Sequence, residues 1–311
     1  MKAGSRRGNR PGGGRRACGR LQRWRGRVGR TWRSLDHRQR LTALAASAMA
    51  LILVVALSVT AVDRLSYSHH IKQVREDQEQ SSDLFSFDPG MIITDARFHD
   101  TTGMNTEDIQ SFLEEKGAAC QGDRCLKNLK VDTATKEGDD LCGRFQGGKG
   151  QTAASVIDGA ARACGVSQKV LLTILQKEQH LVTAKDPSDF QLKAAMGLSC
   201  PDDASCDPKY AGFFNQVYGS ARRFRYYQTH RDRYHFRTGA INQVAFSPDR
   251  ACGGGDVFIE NDATALLYIY TPYQPNRAAL EAGSGEGNSC SAYGNRNFSL
   301  IYRGWFGDPA E

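Results

Sequence analysis

The sequence predicts a mainly α fold with a small β insertion (α+β), tied by disulfides and preceded by one transmembrane helix. Three observations carry that expectation. Leu41 to Val62 is a 22-residue stretch without a charged side chain, and roughly 20 apolar residues suffice to cross the hydrocarbon core of a bilayer. Eight of the nine cysteines follow that stretch. Beyond it, apolar residues recur mostly at helical rather than alternating spacing.

The segments follow in order. Residues 1–40 carry thirteen Arg and one Lys against the single acid Asp36, a surplus of +13. The whole chain is only +7, so the remainder is −6 and the protein is not uniformly basic. The Arg/Gly-rich head has too few apolar residues to fold and is expected to be a disordered cytoplasmic tail lying near anionic lipid. Its basic-aromatic mix also suits nucleic acid, a partner not expected for this chain. Residues 41–62 are the expected span. Positive flanks stay cytoplasmic, so the rest of the chain is expected to face outward as an extracellular domain. A cleaved signal peptide is the alternative, with "VTA" as its cleavage site, but both the flank and the span exceed that design. Residues 63–85 read as a polar stalk, helical at first and flexible at its end.

The folded domain is expected over 86–311. Asn105 caps a helix running to the stop at Gly117, with Glu107 and Asp108 in its first turn. Cys120 to Gly150 reads as a disulfide-tied loop. A helix follows from Thr152 to Cys164, stopped by Gly165, and Ser167 caps the next one. "YAGFFNQVYGSARRFRYYQ" returns to helical spacing, "RYHFRTGAINQVAF" suggests a hairpin turning near Thr238-Gly239, and "DVFIENDATALLYIY" suggests a strand and a helix capped near Asn261 or Asp262.

The outward set of cysteines is Cys120, Cys125, Cys142, Cys164, Cys200, Cys206, Cys252 and Cys290. An even set in an oxidising compartment reads as disulfides. Pairing neighbours closes the smallest loops, but that is one of about 105 connectivities. "CQGDRC" and "CPDDASC" have no His at ligand distance, so neither a metal nor another cofactor is expected.

One residue breaks the pattern. In "VLLTILQKEQHLV", Leu171, Ile174, Leu175 and Val182 form an apolar stripe, and Glu178 falls on it while Lys177 and Gln179 point away. A carboxyl group in apolar surroundings is shifted toward its protonated form. Such a group serves as a proton donor in glycosidic bond cleavage. The alternative is a structural ion pair with Lys185 or an Arg of the next helix. Gly197 allows a ligand close to the backbone. Asn215 and Gln216 supply amides, and Tyr270 and Tyr273 supply aromatic faces on which sugar rings can lie. His180 reads as a surface residue. The cationic stretch "ARRFRYYQTHRDRYHFR" suits wall-peptide carboxylates or teichoic phosphate.

"GVSQKVLLTILQKEQ" followed by "AAMGL" resembles the core of the lysozyme-like superfamily, the lytic transglycosylases and goose-type lysozymes. The resemblance implies a lysozyme-like helical domain with Glu178 as the acid and Ala194 to Leu198 as the turn beneath it. The chain departs from that pattern at Gln179, Ser199 and Cys200. "ILQKEQ", "GFFNQVY", "YTPYQPN" and "CSAYGNRNF" resemble secreted actinobacterial proteins labelled haemagglutinin-like, which implies a cell-envelope location. Together these imply a membrane-anchored enzyme cleaving peptidoglycan with one Glu, as lytic transglycosylases do. The alternative is a non-catalytic glycan-binding or scaffold protein. Glu178 in a cleft beside Gly197 and the tyrosines favours the enzyme; pairing with Arg or Lys inside the core favours the scaffold.

Overall fold

The computed structural model describes residues 35–200 and 206–311. Residues 1–34 of the expected Arg/Gly-rich tail, with Cys18, lie outside them, and its last four residues, expected to be disordered, already belong to a helix. The chain divides into two units, Met1–Ser68 and His69–Glu311.

Helix α1 spans His37–Phe85. It is long and apolar enough to cross a membrane, and the apolar residues of its first half are exposed. The end expected to be flexible is helical instead and belongs to the second unit. Val74 and Gln78 are buried there. The Gln78 side chain accepts the Phe258 N–H at 2.7 Å and donates to the Phe258 carbonyl at 3.3 Å, acting like one residue of a neighbouring strand. Arg75 donates to Glu260 at 2.7 Å and its guanidinium lies over the Phe258 ring at 4.8 Å. A polar segment docked through amides and ion pairs looks like a solvated one in sequence, which is why no apolar stripe announced it.

Gly90 makes this docking possible, because a Cβ there would lie 2.0 Å from Gln78 Nε2 and 2.4 Å from the Phe258 carbonyl oxygen. Gly90→Ala is therefore expected to release residues 69–85, with a loss of roughly 2 kcal/mol for two amide hydrogen bonds. Limited proteolysis checks it: new cleavage within 69–85 is expected, and an unchanged digestion pattern would count against this docking.

The remaining elements of the second unit are α2 (Asp95–Phe98), α3 (Thr106–Lys116), β1 (Lys130–Thr133), β2 (Gly148–Thr152), α4 (Ala153–Cys164), α5 (Gln168–Gln179), α6 (Asp189–Lys193), α7 (Phe213–Thr229), β3 (Ala240–Ala245), β4 (Gly254–Ile259), α8 (Asp262–Tyr270), α9 (Arg277–Glu281) and α10 (Gly294–Phe306). The caps are local chemistry and fall at Asn105, Thr152, Ser167 and Asn261, whose side chains each accept a backbone N–H of the first turn.

Two antiparallel pairs form the β component, β1 with β2 and β3 with β4. The first begins inside the stretch expected to be a loop and runs two residues past its Gly150 end, to Thr152. Its Gly-rich strand has little β propensity, and the Thr133 hydroxyl helps hold it by accepting the Gly148 N–H at 3.0 Å. The second hairpin turns later than expected. Gly239 leads into β3 rather than out of it, and the turn lies between Ala245 and Gly254.

Four disulfides join Cys120–Cys125, Cys142–Cys164, Cys200–Cys206 and Cys252–Cys290 among the described residues, the pairing that closes the smallest loops.

Helix α5 is the centre of the core. Gln168 and every residue from Val170 to Gln176 are buried, so the helix is enclosed all round rather than along one stripe. Helices α4 and α10 pack against it, and α4 also meets α3 and α7. Gly159 of α4 admits the Phe145 ring, since a Cβ there would stand 2.7 Å from it.

Candidate functional site

Helix α5 ends at Gln179, with His180 as its exposed C-cap in the left-handed region at φ 55°. Glu178 is thus delivered from the buried axis of the unit to its rim, where its side chain is 25% exposed. Its Oε1 is 2.6 Å from Lys177 Nζ.

That contact departs from the sequence expectation in two ways. Lys177 does not point to solvent: its side chain is 8% exposed, donates to Thr271 Oγ1 at 3.1 Å and lies 5.2 Å from the Tyr270 ring centroid. Lys185, the alternative partner, is exposed. The reason is the enclosure of α5, which leaves no solvent on the face opposite the stripe.

The other carboxylate oxygen turns toward Gly197. A Cβ at 197 would lie 3.1 Å from Glu178 Oε2, and Gly197 has φ +68°. The left-handed backbone is what calls for glycine, because L side chains resist it, and the missing Cβ also gives the carboxylate a few tenths of an ångström of room. Gly197→Ala is expected to cost about 1–2 kcal/mol through the left-handed backbone and to turn the carboxylate aside. Chemical denaturation of the variant checks the first part, and a stability equal to the unmodified chain would contradict it.

The turn from Ala194 to Leu198 is held by Gln216. This side chain is fully buried. It accepts the Met196 and Leu198 N–H groups, both at 3.0 Å, and donates to the Leu198 and Tyr210 carbonyls, both at 2.8 Å. Its amide is therefore committed to backbone, and the role expected of it, binding a ligand, does not fit its placement.

Tyr270 is the last residue of α8. Its ring stacks on Phe224 at 5.0 Å, and its hydroxyl donates to the Met196 carbonyl. Burial, and then the neighbouring Glu178 carboxylate, push that hydroxyl far above the ordinary phenol range, so it remains a donor at any physiological pH. Tyr273 lies three residues on, where Asn295 Nδ2 donates to its carbonyl at 2.9 Å. Asn215 is on another face: it lines a cavity of about 440 Å³ with Tyr210 and Arg222, and Glu178 is not among that cavity's lining residues.

The structure thus brings Glu178, Gly197 and Tyr270 together, buries Gln216 beneath them and sets Asn215 apart. Lys177 and Thr271 join the site without having been expected. Lys177 was adjacent in sequence, but helical spacing alone cannot show that a lysine is buried.

What these features define is a disulfide-tied, mainly helical unit with an ion-paired carboxylate at the end of its central helix. Residues 91–311 match the family described as LasA, N-terminal domain, and the chain belongs to that family. No curated protein and no solved structure matches the chain.

Proposed function

We propose that this protein is a membrane-anchored, outward-facing domain that cleaves peptidoglycan glycan with Glu178 as its acid–base group. The observation that carries the reading is the placement of Glu178 at the rim of the unit, 25% exposed, with Oε2 turned toward Gly197 and Tyr270 beside it; the 2.6 Å contact of Oε1 with Lys177 counts toward the binding reading instead. Membership in the LasA N-terminal domain family supports a wall-directed role, LasA itself being a staphylolytic peptidase. The match is to an N-terminal domain, so peptidase chemistry is not carried over. The apolar helix α1 and the four disulfides support an anchored unit in an oxidising compartment.

The reaction needs one carboxyl group. In this reading Glu178 acts first as the acid, giving a proton to the glycosidic oxygen as the C1–O bond of the muramic acid residue breaks. The resulting carboxylate takes the proton of that residue's 6-hydroxyl as its oxygen bonds C1. An anhydro ring closes, the leaving sugar keeps a free hydroxyl, and Glu178 is reprotonated without water. Lys177 fixes the carboxylate's rotamer, and Tyr270 fixes the Met196 carbonyl beside Gly197.

A second reading, non-catalytic glycan binding, is favoured by the same ion pair, since Lys177 also suffices to explain a partly buried Glu. Incubating the full-length chain in detergent with peptidoglycan separates them. Release of anhydro-muropeptides supports cleavage; retention on the wall with no soluble product supports binding alone.

A further inference from the structure

The outer face of α7 presents Asn215, Tyr218, Gly219, Arg222, Arg223 and Tyr226 at helical spacing. This face lines the cavity of about 440 Å³ and, sharing Tyr210, Gly219 and Arg222 with it, a second of about 200 Å³. The two form one groove, of a size that suits a saccharide segment.

Tyr210 is the feature around which the groove is built. A glycine inside a helix weakens it, yet Gly219 stands mid-helix because a Cβ there would meet Leu198 Cδ2 at 2.7 Å and the Tyr210 ring at 3.3 Å. The ring therefore lies against bare backbone. Lys209 Nζ is 5.3 Å from its centroid and the Arg223 guanidinium 5.9 Å.

The charges of the groove are unequally satisfied. Asp139 receives a hydrogen bond from Arg222 at 2.6 Å and the N–H groups of Leu141 and Cys142, which hold its carboxyl down to about 2. Glu137 faces Arg144 at 3.7 Å. Lys136, Lys209 and Arg223 have no carboxylate partner among the described residues. Two cations beside a half-exposed tyrosine, with Lys136 (its ammonium 5.6 Å from the Phe214 ring centroid) and the Asn215 amide lining the same cavity, match a ligand that is both sugar and anion.

We propose that this groove binds an anionic saccharide, with a sugar ring on Tyr210 and a phosphate or carboxylate on Lys209, Arg223 and Lys136. The proposal takes its ligand source from the wall-directed reading, but not its chemistry, because Glu178 lines neither cavity. The groove and the carboxylate lie on two sides of one turn: Leu198 packs under Gly219, and its neighbour Gly197 packs on Glu178.

The test uses the full-length chain in detergent carrying Glu178→Gln, so that substrate is not consumed and loss of cleavage cannot be mistaken for loss of binding. Co-sedimentation is measured with purified walls bearing teichoic phosphate, the same walls after phosphate removal, the same walls after removal of peptide stems, and with soluble chitotetraose as a neutral competitor. Adding Lys209→Ala and Arg223→Ala is expected to weaken wall binding about tenfold, as two charge-assisted contacts are lost, and to flatten its salt dependence. A drop on phosphate removal assigns the anion to phosphate, and a drop on stem removal assigns it to carboxylate. The proposal is overturned if the double variant binds walls as before, if neither stripped wall binds more weakly, or if neutral chitotetraose displaces the wall completely.

Discussion

Glu178→Gln is expected to remove release of anhydro-muropeptides by the full-length chain, with a fall of about 10²–10⁴-fold, the usual contribution of a positioned general acid. Glutamine keeps the side-chain volume and an Oε that Lys177 can still donate to, so the fold should persist. It has no proton to give to a leaving oxygen and no charge to take one back. Product analysis by chromatography of soluble muropeptides reads the outcome, with circular dichroism confirming an unchanged fold. Equal release by the variant would show that Glu178 is not the acid. No release from the unmodified chain would leave the binding reading in its place.

Gln216→Ala carries the largest expected loss of stability, at least about 3 kcal/mol, because each buried polar group left without a partner costs about 1–3 kcal/mol and three of the four groups it binds are buried. Four backbone groups lose their partner at once: two N–H groups, of Met196 and Leu198, and two carbonyls, of Leu198 and Tyr210. Gln216→Glu is no rescue, since a carboxylate would face two carbonyl oxygens. Chemical denaturation followed by tryptophan fluorescence measures the effect. A loss below about 1 kcal/mol, the net value of one ordinary hydrogen bond, would mean that the turn does not depend on this clamp. The same substitution should loosen Gly197 and so reduce any cleavage at Glu178.

These two residues show what the sequence makes legible. Glu178 stood out because a carboxylate on an apolar stripe is anomalous whatever surrounds it. The caps at Asn105, Ser167 and Asn261 were legible for a similar reason, since capping involves only the first turn of one helix. Gln216 was read as a ligand amide because spacing gives the face of a helix but not what an amide finds there. Lys177 was read as solvated because periodicity describes one helix, and the burial of its far face depends on α10 and α8, distant in sequence. The β1–β2 pair was hidden by glycines whose strand conformation comes from their partner rather than from themselves. The class of fold was legible; the partners of individual polar side chains were not.

The amide of Gln78 has a consequence for self-association. By taking both backbone groups of Phe258, it stops β4 from offering them to a strand of another molecule. An unshielded strand margin is a template for aggregation. A truncated chain beginning at Ser86, where a sequence-based boundary would place its start, would uncover that margin. Such a fragment is expected to be sticky for a reason unrelated to the loss of the apolar first half of α1.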